Sequence, residues 1–174
     1  MKAFVSAFGE GAERVSVSGI ADIGGPLRLG ITGHLNLLDT VDTEFAEKPA
    51  WYTYQMLVEK LHDFTTVQEI EISDDPRTRA YRFERPRGPI VVAWSETGSA
   101  PPDLDYRIDT GETVTLPLGF NDVRRTRPIS VIGQTTAMTE TLDVPSGQLT
   151  LQLGYEPAIF EPNPSTVFVD GFEN

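Results

Sequence analysis

Few residues in this chain combine the type and the spacing that chemistry requires. Its two histidines, His34 and His62, have no carboxylate at ligand spacing, so no metal site is expected. The absence of cysteine excludes thiolate zinc sites, disulfides and cysteine nucleophiles. Ser95 lacks the G-x-S-x-G turn that presents a hydrolase serine. Gly9-Glu10-Gly11 stands in the wrong context for a phosphate-cradling loop, and no cofactor is expected. What remains is polar or aromatic. Asp22 and His34 lie in a Gly- and Asp-rich stretch, where they either contact a ligand or merely order a loop. Arg124-Arg125-Arg127 is a short basic cluster, read as local ion pairing on a solvated face. Trp51, Tyr52 and Tyr54 offer a stacking platform, but consecutive aromatics on a helix more readily serve as core. Trp94, inside an apolar strand, is read as core, and Tyr106 in a polar loop as exposed.

These residues need elements to position them. A helix over residues 2–10 places Ala3, Phe4, Ala7 and Phe8 on one face, with Gly11 as its terminator. Residues 14–20 alternate as a strand, and residues 21–47 form a long loop of the kind that is commonly functional. Lys48-Pro49 opens the clearest helix, which carries Ala50, Tyr54, Leu57, Val58 and Leu61 at helical spacing to about Asp63. His62 falls at its C-terminus, where a positive ring suits the dipole.

After Phe64 the pattern changes to short alternations at 67–72, 80–84, 90–94, 113–118, 129–132, 148–153 and 157–160. Pro86-Arg87-Gly88-Pro89 reads as a hairpin turn and residues 98–111 as a polar loop. Period-2 strands separated by turns predict an antiparallel β-sandwich. Within it Tyr81 and Phe83 share one parity, and Ile90, Val92 and Trp94 share another, so each set faces one way.

The 174 residues suffice for one domain and part of another, and 39% hydrophobic with 23% charged residues is a globular composition. The formal net charge is −12, spread along the chain. A field of that sign repels phosphate backbones, so nucleic acid is not an expected partner, whereas a neutral glycan is compatible. No stretch reaches the ~20 apolar residues of a membrane span, so no membrane partner is expected. The first nine residues begin like a weak signal peptide, but the apolar run breaks at Gly9-Glu10 and no cleavage site follows.

The stretch Lys48-Pro49-Ala50-Trp51-Tyr52-Thr53-Tyr54-Gln55-Met56-Leu57-Val58-Glu59-Lys60-Leu61, completed by His62-Asp63-Phe64, resembles the last barrel helix of clan-A (β/α)8-barrel glycoside hydrolases, of the β-xylosidase/iduronidase-like or cellulase-like kind. Downstream, YRFERPRGPIVVAWS, ETVTLPLG and GQLTLQLGYEPAIFEP are similar to strands of the small sandwich appended to those barrels. Upstream, KAFVSAFGEGAERVSVSGIADIGG and GHLNLLD are similar to the seventh helix, eighth strand and eighth βα loop. The likeness covers residues 2–161, with Trp51 where the family more often has Tyr. The terminal Asp170-Gly171-Phe172-Glu173 resembles the tail of some secreted bacterial proteins.

The resemblance implies residues 1–64 as a barrel remnant, 65–161 as a β-sandwich and 162–174 as linker and tail. It implies a mainly-β chain preceded by an α/β remnant of a barrel. The loop bearing Asp22 and His34 would lie on the barrel's C-terminal face, where those two side chains would bind sugar hydroxyls. The family's acid/base and nucleophile sit near the ends of the fourth and seventh strands, and no Glu here matches either motif; Glu10 and Glu13 fall on the wrong side. The expected role is therefore non-catalytic: the C-terminal portion of a secreted or periplasmic bacterial carbohydrate-active enzyme, meeting polysaccharide or oligosaccharide through its parent. The alternative is a free-standing extracellular β-sandwich for glycan binding or adhesion. With its barrel partners missing, residues 1–46 are expected to be mobile or self-associating while 48–161 stay folded.

Overall fold

The computed structural model describes residues 1–16, 38–39, 46–47, 49–97, 111–129 and 133–164. Two helices, α1 (Lys2–Gly9) and α2 (Pro49–Leu61), accompany a mainly-β chain. A short pair is formed by β1 (Leu38–Asp39) and β2 (Ala46–Glu47). The remaining strands are β3 (Thr66–Ile70), β4 (Thr78–Glu84), β5 (Ile90–Ser95), β6 (Thr113–Pro117), β7 (Asp122–Arg127), β8 (Met138–Asp143), β9 (Gln148–Gln152) and β10 (Ala158–Pro162). Six of them form one antiparallel sheet in the order β3-β4-β5-β10-β7-β8, and β6 pairs with β9 in a second.

The six-stranded sheet is apolar on both faces, and pleat parity decides which residue serves which layer. On one face Ala80, Val91, Ala93, Ala158, Phe160 and Val123 meet Val114 and Leu116 of β6 and Leu149 and Leu151 of β9, which makes the sandwich. On the other, Tyr81, Phe83, Ile90, Val92, Trp94 and Ile159 meet Val5 of α1 and Met56, Leu57 and Leu61 of α2. The register puts Tyr81 beside Val92 and Phe83 beside Ile90, so the two parity sets read from sequence face the same side. β5 is buried at every position because layers cover both its faces. Pro86-Arg87-Gly88-Pro89 does turn β4 into β5, with Gly88 at φ 104°.

α1 ends where Gly11 permits. Gly11 N–H donates to Phe8 O and Ala12 N–H to Ala7 O, both at 2.9 Å, and Gly11 adopts φ 93°. These two bonds form a Schellman motif with glycine at the position that needs a left-handed backbone. α1 packs on the sheet, whereas residues 17–37 and 40–45 of the segment expected to be mobile or self-associating lie outside the described residues. Val5 is fully buried, and Phe8, Phe64 and Phe83 form a chain of edge-to-face rings with centroids 5.1 and 5.3 Å apart. Burial of apolar area against the sheet stabilises the helix there.

Other expectations are corrected. Residues 14–16 carry no strand, and 17–20 lie outside the described residues. The strand expected at 129–132 is not seen at Ile129, whose backbone is bound by α2 instead: Thr53 Oγ1 donates to Ile129 O at 3.0 Å, and Ile129 N–H donates to Thr53 Oγ1 at 3.1 Å. Residues 130–132 lie outside the description. β7 and β8 were not expected at all. β7 contains the arginine cluster, which pairs locally, Arg124 with Glu161 and Arg125 with Glu140 at 3.3 Å, but not wholly on a solvated face: Arg124 and Arg127 are half-buried, and Arg125 is buried, 5.8 Å over the Phe160 ring.

Candidate functional site

At one end of the sheet the last turn of α2, the β4–β5 turn and strands β7 and β10 enclose a cavity of about 550 Å³. Its polar lining is Glu59, Lys60, Arg85, Arg87, Arg124 and Glu161. Each arrives by a local rule. Glu161 on β10 is in register with Arg124 on β7, so the two share a face. That face is also the one on which Ile159 meets the helices, because the two positions have the same parity. Glu161 therefore points toward α2, where Lys60 occupies the last turn.

Glu161 is the buried hub. Lys60 Nζ donates to its Oε1, and Arg124 Nε donates to the same oxygen at 2.8 Å. Arg85 Nη2 stands 3.7 Å from Oε2. Burial alone would raise the Glu161 carboxyl, but the hydrogen bonds and charges of Lys60 and Arg124 outweigh it and hold the group below the ordinary glutamate value. A carboxyl held that low stays ionised at neutral pH and is no general acid there. Arg85, itself nearly buried, is tied to backbone: Nη1 donates to Lys60 O at 2.6 Å and Nε to Gly88 O at 2.9 Å. Arg87 is spoken for by Asp63, to which it donates from Nε at 2.9 Å and Nη2 at 3.0 Å. The arrangement can hold fixed positive charge around one carboxylate; it has no nucleophile beside a base.

The residues singled out from sequence lie elsewhere. Asp22, His34 and Tyr106 fall outside the described residues. His62 follows the last residue of α2, as expected; its backbone N–H donates to Val58 O at 2.8 Å, and its Nδ1 lies 3.0 Å from Glu59 O. Trp94 is core, 3% exposed. Trp51, Tyr52 and Tyr54 are only half-buried, and the core face of α2 is Met56, Leu57 and Leu61 instead. Tyr52 donates to Glu47, and Tyr54 meets Phe4 with ring centroids 5.7 Å apart. Ser95 is buried in a hydroxyl chain, 2.8 Å from both Thr78 Oγ1 and Thr97 Oγ1.

A second, apolar hollow of about 240 Å³ lies between the helices, lined by Phe4, Phe8, Tyr54, Val58 and Phe64 among others. Among the described residues no three His, Asp or Glu side chains are grouped to hold a metal ion. No described helix is long and apolar enough to cross a membrane. Sequence reasoning missed the Glu161 hub because Lys60 and Glu161 are 101 positions apart and no motif links them. The one available signal was the charge of Glu161 itself, beside an apolar run that has to be buried.

The chain matches no protein-family model, no curated protein and no solved structure.

Proposed function

We propose that this chain is the non-catalytic C-terminal portion of a secreted or periplasmic carbohydrate-active enzyme of bacterial origin, in which the sandwich steadies a glycoside hydrolase barrel. The observation that carries the reading is the seating of α2. The segment that resembles the last barrel helix is fixed to the sandwich twice, by Met56, Leu57 and Leu61 in the core and by Lys60 on Glu161. Its other side, with Trp51, Tyr52 and Tyr54 half-buried and Val58 46% exposed, leaves apolar surface for a neighbouring domain. Glycan partners come through the parent, and Asp22 and His34 are the residues proposed to touch sugar hydroxyls.

The test is the DNA immediately upstream of Met1. An open frame there that encodes a barrel with two catalytic carboxylates, and whose joined product hydrolyses aryl glycosides or xylan while the present chain does not, is the expected result. Turnover by the present chain, abolished by one Asp or Glu substitution within it, would overturn the proposal.

A second reading has one observation in its favour. α1, α2 and the sheet share a single core, which suits a free-standing extracellular β-sandwich for glycan binding or adhesion. Glycan binding by the purified chain, with no barrel encoded upstream, selects it.

A further inference from the structure

We propose that the cavity between the last turn of α2 and strands β7 and β10 is a binding site for a small molecule bearing one carboxylate. The inference is independent of the parent-enzyme reading and rests on charge and space. Lys60, Arg85 and Arg124 place three cations around a single buried carboxylate, Glu161. Arg87 and Asp63 neutralise each other at the side. Glu59 adds one negative charge at the rim, so the walls keep an excess of one positive charge. That excess sits inside a protein of net charge −12, so it is a local feature and not a reflection of the whole.

Grouped cations repel unless an anion joins them. Burial lowers the Arg85 guanidinium, and the Arg87 and Arg124 charges lower it further against the pull of Glu161 and Asp63. The carbonyls at the C-terminal end of α2 offset part of the charge, since Arg85 and Arg87 donate to Lys60 O and Glu59 O. One monoanion completes the balance; a dianion would overshoot it beside Glu161 and Glu59. Lys60 Nζ carries three donors, of which Glu161 takes one, and Arg124, whose Nε and Nη2 both donate to Glu161, adds positive charge and its remaining Nη1 edge. About 550 Å³ falls in the range of small-molecule sites, which runs from roughly 300 to 1,000 Å³.

The experiment is calorimetric titration of the full chain with sodium glucuronate, glucose and inorganic phosphate at constant ionic strength. Saturable binding of glucuronate with a Kd of about 0.1–10 mM is expected, without binding of glucose and with weaker binding of phosphate. Lys60→Gln should weaken glucuronate about tenfold, and Glu161→Gln should strengthen it by about as much by removing the competing carboxylate. If Glu161→Gln does not fold, Lys60→Gln carries the test. No saturation below roughly 50 mM, phosphate tighter than glucuronate, equal binding of glucose, or an unchanged Kd in Lys60→Gln each overturns the assignment.

Discussion

Tyr81 on β4 and Trp94 on β5 stack their rings on the helix-covered face of the sheet, with centroids 5.7 Å apart and planes 24° from parallel. They are diagonal neighbours: Tyr81 is in register with Val92, and Trp94 lies two positions further along the same face. The stack forms the floor on which α1 rests, and it joins the N-terminus to the sandwich. Both rings are almost fully buried. Trp94→Ala should therefore cost about 3–5 kcal/mol, read as a fall in the denaturant midpoint, and should loosen α1 as well. A loss below about 1 kcal/mol would show that the ring contributes no core packing.

Gly9, the last residue of α1, touches the same floor. A Cβ there would fall inside the van der Waals radii of Tyr81 Cδ1 and Cε1. Helix propensity alone favours Gly9→Ala by up to ~1 kcal/mol. The Tyr81 ring is pinned by Trp94, so overlap should win and the variant should lose about 1–3 kcal/mol. Thermal melts of Gly9→Ala alone and with Tyr81→Leu separate the two effects, because removing the ring should restore the propensity gain.

How legible was this arrangement? β5 was, because five successive apolar residues from Ile90 can only be a strand covered on both faces. α2 was, because Pro49 opens it and Leu57 and Leu61 recur one turn apart. β7 was not, because its alternate members include Arg125, whose stem is buried beside Phe160 while its charge reaches Glu140. A polar residue type thus occupied a core parity position. β8 was not, because its sequence is solvent-facing throughout except for Leu142, and besides the backbone ladder it meets β7 through the Arg125–Glu140 pair. The charged cavity was unreadable for a related reason. Its members are Lys60 from a helix end, Arg85 from a turn and Arg124 and Glu161 from two strands, brought together only by register.

Glu161 should shape the acid limb of stability. Its folded-state carboxyl lies below the ordinary value of 4.5. As pH falls, the unfolded chain takes up the proton first, so stability is complete above about pH 5 and is lost as pH falls from there through the folded value. Glu161→Gln should flatten that limb. At neutral pH it should cost about 3 kcal/mol, because Lys60, Arg85 and Arg124 lose their shared counter-charge. Urea unfolding from pH 7 to pH 3 checks both, and an acid limb as steep in the variant as in the parent would remove Glu161 from the account.

The N-terminal helix gives the last expectation, because two different forces hold it. Val5 is buried against the sheet, and Lys2 at the helix start donates to Glu96 at 2.7 Å while its ammonium lies 3.4 Å over the Tyr155 ring. Glu96 follows β5 and Tyr155 lies between β9 and β10, so Lys2 ties α1 to two separate connections. Apolar burial is unaffected by salt, whereas the exposed Lys2–Glu96 pair is screened and is worth less than about 1 kcal/mol. Amide exchange should therefore show protection through the second half of α1, at Gly9 and Glu10, whose N–H groups lie inside the hydrogen-bonded helix. Salt should reduce that protection only slightly. Lys2→Met should loosen the first turn without releasing the helix, and Val5→Asp should release it altogether. If Val5→Asp left the protection of α1 intact, the helix would be held by something other than the core it shares with Tyr81, Trp94 and Leu57.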